Sequence, residues 1–87
     1  MISVIIPTLN EEHNLSKNLS RITNHADEVI VADANSSDAT RQVAKQHGCT
    51  VVDGGLPSKA RNKGFEASNG DQLFFLDADV RISEEFF

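Results

Sequence analysis

Tryptophan and tyrosine are absent from the 87-residue chain, cysteine and methionine occur once each, and proline occurs twice. With Cys49 as the only cysteine no internal disulfide can form, which fits a reducing compartment and points to a cytoplasmic protein. Cys49 itself reads as a small buried apolar residue entering a strand. Also missing is any run of Lys or Arg, and the net charge is −5. The chain therefore lacks the basic face that nucleic acids or anionic membrane surfaces require. Long apolar runs are missing too. Near the start the longest is Val4-Ile5-Ile6, too short for a signal or spanning segment, so any membrane association is expected to reside elsewhere in a full-length protein. The acidic balance leaves one phosphorylated partner open, because a divalent cation can bridge carboxylates to the phosphates of a small molecule.

What is present is an ordinary globular composition, 39% hydrophobic and 24% charged. The length allows one domain at most, spanning residues 1–87, and a chain of this size buries only about 60–65% of its unfolded surface. The last residues, Ser83-Glu84-Glu85-Phe86-Phe87, look like the opening turn of another helix. The expectation is a truncated domain.

Four apolar runs lack clean alternation, as strands buried on both faces do: Ser3–Ile6, Glu28–Ala32, Thr50–Val52 and Gln72–Leu76. Three helical segments lie between them. The first carries Leu15, Leu19 and Ile22 on one stripe, with Asn10 as its N-cap and Glu11 and Glu12 in its first turn. The second runs from Ser37 to His47, capped by Ser36 or Ser37, with Ala39 and Val43 inward and Gly48 as a left-handed terminator. The third runs from Ser58 to Ser68, with Ala60, Gly64 and Ala67 as a small-residue stripe. This alternation predicts a Rossmann-like α/β sandwich with a mainly parallel sheet, whose ligand sits outside the carboxyl ends of the strands.

Each strand end carries polar residues. After the first, Pro7 removes a backbone donor and stops pairing, ahead of Thr8-Leu9-Asn10-Glu11-Glu12, leaving carbonyls and amides for a flat heterocycle. After the second, Asp33 needs a partner at the end of a buried strand; the imide N–H of a base and the following turn are the two candidates. After the third, Asp53-Gly54-Gly55 leads to Lys59, Arg61, Asn62 and Lys63 at a helix start, where charge and dipole favour a pyrophosphate. After the fourth, Asp77 and Asp79 repel each other unless a cation joins them, and a hard divalent ion with oxygen ligands meets that need.

In series, Ser3-Val4-Ile5-Ile6-Pro7-Thr8-Leu9-Asn10-Glu11-Glu12, Glu28-Val29-Ile30-Val31-Ala32-Asp33 with Ser36-Ser37-Asp38-Ala39-Thr40, Ala60-Arg61-Asn62-Lys63-Gly64, and Gly70 to Asp79 resemble the motifs of family-2 glycosyltransferases with the GT-A fold. The resemblance covers nearly the whole chain. It implies transfer of a sugar from a nucleoside-diphosphate donor, a UDP- or GDP-sugar, usually with inversion at the anomeric carbon. By the same resemblance Pro7, Thr8, Asn10 and Glu11 border the nucleoside and Asp33 contacts the base. Arg61 then lies near the diphosphate, and Asp77 and Asp79 serve the ribose and a Mn²⁺ or Mg²⁺ ion, with Asp79 the more direct metal ligand. Ala34 and Asn35 depart from the second acid and glycine common in the family, which loosens the base preference. The catalytic base and the acceptor site are expected outside this chain, so the GT-A fold is incomplete here and no catalytic residue is assigned.

Three rivals remain at this point. In a haloacid-dehalogenase-type phosphatase Asp77 would be the nucleophile and Asp79 the acid/base, but Pro7–Glu12 and Asp33–Asp38 would go unexplained. A nucleotidyltransferase would want a glycine-rich basic loop after the first strand, where this chain carries acids. A non-catalytic binding module that self-associates through an exposed strand edge is the third.

Overall fold

The computed structural model describes residues 1–54, 67, 72–76 and 78. In chain order its elements are β1 (Ile2–Thr8), α1 (Glu12–His25), β2 (Glu28–Asp33), α2 (Thr40–Gln46), β3 (Thr50–Asp53) and β4 (Gln72–Phe75). All pairings are parallel, in the order β3-β2-β1-β4. The chain thus winds outward from β1 to β3 and then crosses to the other side of β1. That reversal makes the boundary between β1 and β4 a topological switch point, where open α/β sheets leave a crevice at their carboxyl edge. The helix expected over residues 58–68 lies outside the described residues, apart from Ala67.

One face of the sheet packs on both helices. Val4 and Ile6 of β1 and Val29 and Val31 of β2 meet Leu15, Leu19 and Ile22 of α1 and Val43 and Ala44 of α2, with Cys49, Leu76 and Ala78 in the same cluster. The α1 stripe is the expected one, and its burial supplies the stability that propensity alone cannot give a helix of this length. On the opposite face Ile5, Ile30 and Ala32 are fully buried as well. β1 and β2 are therefore covered on both faces, as expected; β3 is not, being an edge strand with both ends exposed.

The structure corrects the boundary at Pro7. The strand does not stop there; β1 continues to Thr8, with Pro7 in register with Ala32 and Thr8 with Asp33. The hydrogen bonding explains the tolerance. Ile2 and Thr8 carbonyls accept from Asp27 and Ala34 on the β2 side, whereas Met1 and Ile5 carbonyls accept from Gln72 and Leu76 on the β4 side. Odd-numbered positions therefore face β4, so Pro7 costs no bond to β2. On the β4 side the register ends at Ile5↔Phe75, two positions before it.

Both expected helix caps are also corrected. α1 begins at Glu12 with Glu11 in the cap position and no side-chain cap, and α2 begins at Thr40, three residues later than expected, with Ala39 in that position. Its inward face is Thr40, Val43 and Ala44, with Ala39 only half-buried. The far end of α2 is as expected. Gly48 has φ +78°, its amide donates to Lys45 O at 3.0 Å, and Cys49 N donates to Ala44 O at 3.0 Å. This pair of bonds is a Schellman terminator.

Candidate functional site

At the carboxyl edge the register puts Thr8, Asp33 and Asp53 side by side on the helix-bearing face. Asp33 is the centre of this row. Its Oδ1 accepts from Thr8 Oγ1 at 2.6 Å and Ser36 Oγ at 2.5 Å, and its Oδ2 accepts from Ser36 N at 2.8 Å and Arg41 Nε at 2.8 Å. Four donors fill the capacity of a carboxylate, and the side chain has 0% exposure. Burial pushes this carboxyl up, but the bonds from Ser36, Thr8 and Arg41 outweigh it and hold Asp33 below its ordinary value. Arg41 also donates from Nη2 to Asp53 Oδ1 at 2.8 Å, so its guanidinium ties the ends of β2 and β3 together. Arg41 was invisible in the sequence reading. Its position in the first turn of α2, eight residues after Asp33, is the only signal that could have found it.

Around this centre the loops after β1 and β2 are stitched to each other. Asn10, at φ 54°, donates from its amide to Ser36 Oγ at 2.8 Å and accepts at Oδ1 from Ser37 N at 2.8 Å. Glu11 N donates to Thr40 Oγ1 at 2.9 Å, and Glu12 N to Asp38 Oδ2 at 3.3 Å. In return Glu12 Oε1 accepts from Ala39 N at 3.3 Å, and Asp38 Oδ1 accepts from Thr40 N and Thr40 Oγ1. Each helix start is thus capped largely from the other helix's loop, which satisfies amides that would otherwise be orphaned. The Thr40 bonds, foremost, hold the Asp38 carboxyl below its ordinary value. Glu11 Oε2 is taken by Asn14 Nδ2 at 2.8 Å.

The predicted site residues therefore fall into two groups. Pro7, Thr8, Asn10, Glu11 and Asp33 gather at one carboxyl edge as expected. Within it the Thr8, Asn10 and Asp33 oxygens are committed to internal bonds, and a base reaching the Asp33 carboxylate would have to displace a donor. Arg61, Asp77 and Asp79 lie outside the described residues. The residue between the two acids is described: Ala78 belongs to the core cluster at 4% exposure, and its carbonyl accepts from Asn18 Nδ2 of α1 at 3.1 Å. Ala78 is thereby tied to the same helix whose first turn adjoins Asn10. Asn18 was missed in the sequence because it lies 60 positions from its partner.

As to a metal, among the described residues no group of three or more His, Cys, Asp or Glu could hold one. Asp33, Asp38 and Asp53 are each engaged by internal donors. Asp77 and Asp79 lie outside the described residues; as paired hard oxygen donors their chemistry fits Mn²⁺ or Mg²⁺. A cavity of about 340 Å³, lined by residues including Met1, Asp27, Glu28, His47 and Thr50, opens at the opposite, amino-terminal edge. It is remote from every strand end just described.

Residues 3–87 match the family model for glycosyl transferase family 2. The chain belongs to that family. It is 37% identical over 98 aligned positions to glycosyltransferase AglE of Haloferax volcanii, covering 98% of this chain and 32% of that protein. Among solved structures, S. aureus TarS 1–349 superposes with a TM-score of 0.84 at 29% identity, over 98% of this chain and 29% of that one. Glucosyl-3-phosphoglycerate synthase from Mycobacterium tuberculosis, in complex with Mn²⁺, UDP and glucosyl-3-phosphoglycerate, superposes with a TM-score of 0.80 at 29% identity, over 90% of this chain and 33% of that one. The four-stranded parallel sheet is therefore that of the GT-A glycosyltransferase fold, and the chain spans about a third of the length of the relatives it matches. Family membership sets aside the phosphatase and nucleotidyltransferase readings.

Proposed function

We propose that this chain forms the donor half-site of a glycosyltransferase, binding a nucleoside-diphosphate sugar, UDP- or GDP-linked, through a divalent cation. The observation that carries the reading is the convergence of the β1, β2 and β4 ends at the switch point, with Ala78, just after β4, bonded to Asn18 of α1. The Mn²⁺ and UDP in the mycobacterial relative support the same ligand chemistry. Pro7, Leu9 and Ala34 offer surface to the nucleoside, Arg61 offers charge to the diphosphate, and Asp77 and Asp79 hold Mn²⁺ or Mg²⁺. The ion, when bound, offsets charge building on the departing diphosphate. This chain's own part is to bind and orient the donor so that its anomeric carbon meets the acceptor, with inversion as the stereochemical outcome proposed. No residue of the chain is assigned the base.

Calorimetric titration with UDP and GDP, with and without Mn²⁺, tests the proposal. Metal-dependent binding that disappears in Asp79→Ala is the expected result; binding indifferent to both metal and Asp79 refutes the metal role. Self-association belongs to the same proposal, supported by the exposed Leu9 and by Phe75, 42% exposed on β4. Light scattering at high concentration checks it, and a monodisperse monomer counts against it.

A further inference from the structure

Asp33 has the signature of a base reader in sequence, an acid at the end of a buried strand beside the nucleoside edge. Its surroundings give it different work. Oδ1 and Oδ2 each accept two bonds, from Thr8, Ser36 and Arg41, and no part of the side chain is exposed. Those donors are the fastenings of the edge: Thr8 ends β1, Ser36 turns the loop after β2 and in turn accepts from Asn10 N, and Arg41 reaches on to Asp53 at the end of β3. One buried carboxylate thus sets three strand ends. Around it, the Thr8 and Ser36 hydroxyls donate inward and Asn10 Oδ1 is taken by Ser37. Between exposed Asn10 on one side and exposed Ser37 and Asp38 on the other, the outward surface of residues 7–9 and 34–35 consists of half-buried Pro7, exposed Leu9, half-buried Ala34 and exposed Asn35 at φ 59°.

Resting on the donor-site reading above, we propose that Asp33 is a positioning residue that never touches the base, and that the base is held by apolar contact and main chain of residues 7–9 and 34–35. Recognition of this kind discriminates weakly among pyrimidines, since no buried acid is aimed at ring position 3, the N–H of uracil that cytosine replaces with an acceptor. A site built around a committed hydrogen-bonding group would reject the wrong base far more strongly.

Titration of UDP and CDP in Mn²⁺ against wild type, Asp33→Asn, Thr8→Val and Gly48→Ala decides the matter. Asp33→Asn should weaken both nucleotides by the same factor, about fivefold or more, with their ratio held to within about twofold. Thr8→Val should show the same pattern at smaller amplitude, and it carries the test if Asp33→Asn is too unstable to titrate. Gly48→Ala, at the far edge, should lower thermal stability and leave both affinities unchanged. The proposal is overturned if Asp33→Asn shifts preference toward CDP by about tenfold, as an amide replacing a carboxylate at a base N–H would do. It is equally overturned if Thr8→Val, by freeing a lone pair on Asp33, selectively tightens UDP. A loss of affinity in Asp33→Asn no greater than that in Gly48→Ala at matched destabilisation makes the role merely structural. If wild type binds neither nucleotide, the donor-site reading itself fails and this proposal falls with it, a result distinct from any change in ratio.

Discussion

Thr8 and Asp33 meet at 2.6 Å with neither exposed to solvent, so the hydroxyl donates to a buried ion. Hydrogen bonds to charged groups are worth more than neutral ones, and Thr8→Val keeps the shape while deleting the donor. A loss of about 1.5–3 kcal/mol at neutral pH is expected from chemical denaturation. The pH dependence has a definite sign. Asp33 titrates lower in the folded chain than its ordinary value of 3.8, so its contribution is fully present above that value and disappears as pH falls through the folded one. Denaturation curves for wild type and Thr8→Val should therefore lie apart above pH 4 and converge as the pH drops below it. A gap that stayed constant to the lowest pH would show that the hydroxyl does not act through the carboxylate. At this scale the sequence was half legible. An acid at a buried strand end announced that it needed a partner; that the partners are Thr8, Ser36 and Arg41 depends on register between strands, which residue type alone does not encode.

Elements were legible where their signals are local. The Leu15–Leu19–Ile22 stripe repeats at helical spacing, and Gly48 follows its helix directly, so both could be placed from sequence. The starts of α1 and α2 could not, because Asn10, Glu12, Asp38 and Thr40 take amides 26 to 29 positions away, and only Asp38 also takes one in its own helix's first turn. Local capping rules therefore put Asn10 and the serines one element too near. The terminator of α2 gives a clean measurement. An added Cβ on Gly48 would meet nothing within 4 Å, so any cost of Gly48→Ala comes from φ +78° and not from crowding. That cost should be about 1–2 kcal/mol, against less for Gly48→Asn, which tolerates the left-handed region. In a domain this small about 1 kcal/mol moves the melting temperature by about 4–8 °C, and equal melting points for the two variants would contradict the account.

For the molecule as a whole, the parallel sheet and its carboxyl-edge site followed from strand–helix alternation, and the crossing from β3 to β4 created the crevice that alternation alone could not place. How that crevice deals with a diphosphate follows from the helix starts. In dinucleotide-binding sheets the phosphates rest on a helix N-terminus, where free amides and the dipole attract them. Here amides at the start of both helices are spent on Thr40, Asp38 and Glu12, and two of those partners are acids that repel phosphate. The net charge of −5 adds to that repulsion. Attraction for the diphosphate must come from elsewhere, which on the donor-site reading means a cation at Asp77 and Asp79 with help from Arg61. UDP and uridine should then respond differently to chelation. Removing the metal with EDTA should cut UDP affinity by more than about tenfold, and leave uridine, which has no phosphate, within about twofold. If UDP bound equally well with and without metal, the cation's role would be refuted, and the diphosphate would have to be held by Arg61 and its neighbouring lysines or by amides freed from the interlocked caps of α1 and α2.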